Sequence, residues 1–174
     1  MKIAVLTLRL HSNYGGILQA YALMHVLKQL GHDPYLINNQ YFKKRNRFSL
    51  YFIYLRNAIQ KYVLGYKYVE IFQEKRYRKE YEIICKNTHL FVEKHIYPQT
   101  DFVCTEDDWT QLQDHYKFDA YVVGSDQVWR PAYVKHIEYF FLSFLNTTTV
   151  KRIAYAASFG TQEWTFSENQ TSLC

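Results

Sequence analysis

The chain has 174 residues, of which 48% are hydrophobic, enough for one domain with a real core and too apolar for a disordered segment. It carries a net charge of +5, 17 Tyr and 12 Phe but only six Gly; tyrosines, which bury a ring and keep a polar tip wet, suit helix surfaces, interfaces and sugar-stacking sites. Three cysteines at 85, 104 and 174 show no metal-binding or CxxC spacing, which argues against a zinc module or a disulfide scaffold.

Ile3 to Leu8 is a short apolar run of the kind found in buried parallel strands. No signal-peptide plan precedes it and no apolar stretch is long enough to span a bilayer, so the expected location is cytoplasmic. A polar loop, Arg9 to Gly16, follows and leads into a helix expected over 16–30, with Ala20, Leu23, Leu27 and Leu30 as its core-facing stripe. Gly31 suits the end of that helix, and Pro34 bars its resumption. Tyr35-Leu36-Ile37 is the second strand, so the first 39 residues form a parallel β–α–β unit.

Residues 41–100 differ in character. Phe48, Phe52, Leu55, Ile59 and Tyr62 follow a helical period, and a second helix, dense in charge, is expected from Tyr68 to Cys85, with Gly65 between the two. We read this stretch as a helical insertion in an otherwise single domain spanning 1–174. Between Lys43 and Lys79 there are eleven Lys or Arg against Glu70 and Glu74, a local charge of +9. A solvated helix face is one reading; a peripheral contact with anionic lipid headgroups is the other. Nucleic acid is disfavoured as a partner, because the basic residues alternate with Tyr and Phe on a helical period and no nucleic-acid motif is present.

Thr105 followed by Glu106, Asp107 and Asp108 marks a helix start, and that helix is expected to end near Tyr116. Phe118 to Val123 is the next strand, and it delivers Gly124-Ser125-Asp126-Gln127-Val128-Trp129-Arg130-Pro131 at its carboxyl end. A last strand, Arg152 to Ala157, ends in Ser158-Phe159-Gly160. Ser167-x-x-Gln170 is a capping box, and the helix it opens stops at Cys174, a pattern that suggests a truncated chain. Asn146-Thr147-Thr148 and Asn169-Gln170-Thr171 match a glycosylation sequon, of no weight without secretion.

The fold class expected is therefore α/β, a parallel sheet flanked by helices, with three polar loops at strand carboxyl ends, where open α/β sheets bind ligands. Gly15 and Gly16 open a helix whose free N–H groups favour an anion, with tight helix–strand packing as their alternative role. The loop lacks the Lys-Ser/Thr of a Walker motif, and Asn38-Asn39 leaves the second strand without the acidic residue that holds a ribose, so nucleotide and dinucleotide binding are disfavoured. Asp126 sits where a carboxylate could deprotonate a hydroxyl nucleophile, with local turn-making as its alternative role. Trp129 offers a flat apolar face of the kind sugars use, and Ser158 either simply ends its strand or donates to a ligand oxygen. His11, in the first loop, is read as a solvated loop histidine.

Three runs resemble the signatures of the polysaccharide pyruvyl transferase family: Asn13-Tyr14-Gly15-Gly16-Ile17-Leu18-Gln19-Ala20-Tyr21-Ala22-Leu23, Val123-Gly124-Ser125-Asp126-Gln127-Val128-Trp129 with Pro131, and Arg152 to Gly160. The resemblance covers nearly the whole chain and is weakest over 41–100. It implies transfer of a pyruvyl group from phosphoenolpyruvate, the donor substrate and not a resident cofactor, to a sugar of a surface polysaccharide or its lipid-linked precursor. The product is a cyclic ketal, with phosphate released, and no metal is implied. It implies a Rossmann-like domain similar to the N-terminal half of GT-B type transferases, facing the sugar acceptor. Asp126 would activate the acceptor hydroxyl. Asn13, Tyr14, Gly15, Gly16, Gln19, Gly124, Ser125, Gln127, Trp129 and Ser158 would line the cleft. Family members are about twice as long, and the Arg and His residues expected to grip phosphoenolpyruvate belong to the other half. The expectation is an acceptor-side half that is inactive alone and works with a donor-side half, encoded separately if the enzyme is split; the alternative is a non-catalytic domain that binds a glycan or a subunit.

Overall fold

The computed structural model describes residues 1–39, 47–66, 68, 71–134, 136–146 and 149–174; the side chains of 47–50, 73–75, 77 and 78 are outside that description. The chain divides into two compact units, Met1–Tyr41 with Thr88–Cys174, and Phe42–Asn87.

The first unit is built on a parallel sheet. Its strands are β1 (Lys2–Leu6), β2 (Asp33–Asn39), β3 (Gln99–Val103), β4 (Ala120–Gly124) and β5 (Lys151–Tyr155), in the spatial order β3-β2-β1-β4-β5. β1 and β4 lie at the centre, paired Ile3 to Ala120 through Leu6 to Val123. That is why Val5, Leu6, Ala120 and Val123 are buried although they alternate between the two faces of the sheet.

One face holds Ile3, Val5, Leu36, Ala120 and Val122 against Ile17, Ala20, Leu23 and Met24 of α1 (Tyr14–Gln29). The other holds Ala4, Leu6, Ile37, Tyr121 and Val123 against Trp109 and Leu112 of α4 (Glu106–Tyr116) and the aromatics of a 3₁₀ turn, Ile137–Phe141. At about 25 cal/mol per Å² of apolar area buried, these two layers are the dominant favourable term of the unit. Tyr121 is fully buried, and its hydroxyl donates to Gln113 Oε1 at 2.9 Å. Burial raises the Tyr121 pKa well above the usual phenol range.

The α4 start is a complete capping box: Thr105 accepts from the Asp108 N–H, and Asp108 accepts from the Thr105 N–H at 2.8 Å. Those backbone donors hold the Asp108 carboxyl below its usual range. The same device opens α5 (Glu168–Leu173) with Ser167 and Gln170.

Three features depart from expectation. β3 adds a fifth strand, beginning inside the stretch read as helical through residue 100. Leu30 is exposed rather than core-facing, because α1 ends at Gln29 and Leu30 is its C-cap, beyond the helix's core-facing stripe. The second insertion helix runs later than expected, as α3 (Gln73–His95).

The second unit contains α2 (Arg47–Tyr62) and most of α3. Of the 43–79 basic stretch, residues 43–46, 67, 69 and 70 lie outside the described residues, as do 147 and 148 of the first sequon. Among the described residues, no helix is long and apolar enough to cross a membrane.

Candidate functional site

The sheet order creates a switch point. From β1 the chain crosses by α1 to β2, then out to β3; from β3 it returns by α4 to β4, on the other side of β1. The loops leaving β1 and β4 therefore part in opposite directions and open a crevice at their carboxyl ends. The first loop ends at Asn13, the N-cap of α1, whose side chain accepts from the Gly16 N–H. The second carries Gly124, Ser125 and Asp126, with a cis peptide between Gly124 and Ser125.

The two loops meet. A Cβ on Gly16 would lie 3.7 Å from Asp126 Oδ2 and 3.4 Å from Asn13 Nδ2. The Asp126 carboxylate thus stands by the first turn of α1, whose dipole favours its negative charge and which carries no acidic residue of its own. Asp126 Oδ1 also accepts from the Gln127 N–H at 2.7 Å, so the local turn role coexists with exposure to the crevice.

The third loop joins them by backbone bonds. The Ser158 N–H donates to the Asp126 carbonyl at 3.1 Å, and the Trp129 N–H to the Ser158 carbonyl at 3.2 Å. Gln127 lies over Gly160 and accepts from Arg130 Nη1 at 2.8 Å. Trp129 is half-buried: its ring stacks on Phe141 at 5.1 Å and its N–H donates to the Phe140 carbonyl, so one face is already occupied.

The other residues sit at the margins. Tyr14 and Gly15 are exposed on the first turn of α1. Gln19, Ser125 and Tyr155 mark one end of an apolar groove of about 480 Å³ between α1 and β5, lined further by Ala22, Val26 and Ile153. Gly124 is buried beneath the crevice as a backbone element only. The structure therefore brings Asn13, Gly16, Asp126 and Ser158 together, with Gln127 and Trp129 behind them, and sets Gln19 and Ser125 on the groove side.

Two features of the rim are not explicit in the sequence. Arg130 is fixed by Gln127 and by Tyr133, whose ring lies 4.7 Å from its guanidinium. His11 is not a plain solvated loop residue: its Nδ1 accepts from the backbone N–H of Ser12 at 2.6 Å. The proximity of a histidine to two following N–H groups is the signal that a sequence shows only as His-Ser-Asn.

Burial first, and the Arg9 charge second, push the His11 pKa below its ordinary value. The folded state therefore resists protonation more than the unfolded chain does. The His11 contribution to stability is complete above about pH 6.5, the ordinary histidine value, and drains away as pH falls from there through the lower folded-state value. Thermal melts between pH 7.5 and 5 should show stability falling with acid, and His11→Gln should flatten that slope. An unchanged slope in the variant would show that other groups carry it.

A family model described as polysaccharide pyruvyl transferase matches residues 13–171. No curated protein and no solved structure gives a significant match to the chain.

Proposed function

The chain belongs to the polysaccharide pyruvyl transferase family, and from that premise we propose that it forms the acceptor side of an enzyme that ketalises a glycan with the pyruvyl group of phosphoenolpyruvate. The observation that carries this reading is the convergence of Asp126 with the α1 N-terminus and the Ser158 loop at the sheet's switch point. A carboxylate, a helix N-terminus, hydroxyls and an aromatic wall suit a polyhydroxylated substrate.

The overall reaction joins two hydroxyls of one sugar to C2 of the pyruvyl group. The methylene carbon of phosphoenolpyruvate gains a proton. One sugar oxygen bonds to C2 as its own proton leaves, and the second sugar oxygen then displaces phosphate, its proton going to the phosphate or to water. In this chain Asp126 accepts the proton of the attacking hydroxyl. Asn13 and Ser158 orient sugar oxygens, and the proton donor and phosphate grip belong to a donor-side domain.

Phosphate release from phosphoenolpyruvate by the full encoded polypeptide, across galactose- and mannose-containing acceptors, tests this reading. Glycan-dependent release with a ketal in the product is expected. Absence of release across the panel would sink it.

A lipid-linked acceptor would bring the enzyme to a membrane surface. In α2, Phe52, Leu55, Ile59 and Tyr62 recur on one face, each 46–74% exposed, with Arg56 and Lys61 exposed among them. That pattern supports peripheral contact with an anionic bilayer. Flotation with vesicles containing anionic lipid should carry the chain, and Leu55→Asp with Ile59→Asp should release it. Equal flotation of both proteins would contradict the contact.

A further inference from the structure

Trp129 is the aromatic that the sequence singles out, yet it is the inner member of a row. Phe159 lies 5.4 Å from Trp129, and Trp164 lies 5.6 Å from Phe159. Phe166, buried, backs Trp164 at 4.5 Å and Phe159 at 5.8 Å. Trp164 ends the row and is 59% exposed, against the half-burial of Trp129.

The Trp164 indole is held rather than loose. Its Nε1–H donates to Thr171 Oγ1 at 3.0 Å. Thr171 in turn donates its hydroxyl to the Ser167 carbonyl at 2.9 Å, inside the capping box of Ser167 and Gln170. The ring therefore keeps its orientation while most of its surface faces water. An exposed indole has an apolar face to cover, and one already ordered loses little entropy when a ligand covers it.

The row is continuous with the candidate site. Phe159 follows Ser158, whose N–H bonds Asp126, and Trp129 bonds back to Ser158. We propose that Trp164 is a stacking platform for a pyranose ring of the acceptor glycan, its apolar C–H face lying on the indole. This rests on the acceptor-side reading above and adds a subsite to it. It assigns Trp164 to affinity for the acceptor, not to the bond-making step.

The test is titration of the full chain with galactose- and mannose-terminated oligosaccharides, followed by calorimetry and by fluorine NMR of chain labelled with fluorotryptophan. The three tryptophans give three resonances, assigned by single Trp→Phe variants. The Trp164 resonance should shift with glycan while that of buried Trp109 stays. Trp164→Ala should weaken binding about tenfold, or about 1.4 kcal/mol, and Trp164→Tyr should restore most of it. If glycan binds the unsubstituted chain with no shift at Trp164 and with equal affinity in Trp164→Tyr and Trp164→Ala, the platform is overturned and the acceptor-side reading survives. If no glycan in the panel binds the unsubstituted chain, both fall. Should Trp164→Ala fail to fold, the shift in the unsubstituted chain decides alone.

Discussion

Gly124→Ala is expected to cost at least about 4 kcal/mol of stability, a large part of the roughly 5–15 kcal/mol that a domain possesses. Gly124 has φ +133°, a backbone region in which side chains are strained by about 1–3 kcal/mol. The larger effect is steric. A Cβ would overlap the Tyr155 carbonyl oxygen and stand 3.0 Å from its carbon and 3.4 Å from the Ala157 nitrogen. These are backbone atoms of the neighbouring strand, and Gly124 is paired with Tyr155 in the sheet. They cannot rotate aside as a side chain would, so β4 and β5 must separate at the very end that carries the site loops. Urea denaturation should place the variant's midpoint far below that of the parent. Gly16→Ala is the natural control: its Cβ meets ordinary contacts of 3.4 and 3.7 Å in a helical turn, where Ala is favoured over Gly by up to about 1 kcal/mol. A loss below about 1 kcal/mol in Gly124→Ala would contradict the packing described.

Asp126→Asn is expected to lower the glycan-dependent rate of phosphate release by about 10²- to 10⁴-fold, the range for loss of a positioned general base. The amide keeps the shape of the carboxylate, and its oxygen can still accept from the Gln127 N–H, so the fold and the acceptor affinity should change little. The loss should therefore fall on kcat rather than KM. An Asn variant with normal kcat and a raised KM would recast Asp126 as a binding residue. Parent-like kinetics would return it to its turn-making role.

The centre of the fold was legible because its physics is local. Ile3-Ala4-Val5-Leu6 and Ala120 to Val123 are unbroken apolar runs because β1 and β4 are covered on both faces. β3 carries no such signal because it is an edge strand: Gln99-Thr100-Asp101-Phe102-Val103 buries only two of its five residues, and pairing with β2, not hydrophobic pattern, makes it a strand. The order in which strands lie is also invisible in a linear reading, although it is what sets the first loop against the second. Asp126 could be named from its motif, but its approach to Gly16 could not. Trp164 lacked any local signature, since its neighbours Phe159 and Phe166 define it only once the chain folds back. The surroundings of His11, which its loop position suggests is merely solvated, and of Arg130 depend on the fold in the same way: a backbone N–H and a Gln side chain, both outside any motif logic, determine what they do.

The central claim is that the crevice between the β1 and β4 loops receives the acceptor glycan. Backbone amide NMR of the chain, titrated with a galactose- or mannose-terminated oligosaccharide, tests it directly. The account predicts saturable shifts clustered at 13–16, 124–129 and 158–160, with phosphoenolpyruvate alone leaving those amides unmoved. Glycan-induced shifts confined to other surfaces, or saturable binding of phosphoenolpyruvate at these three loops in place of glycan, would contradict it.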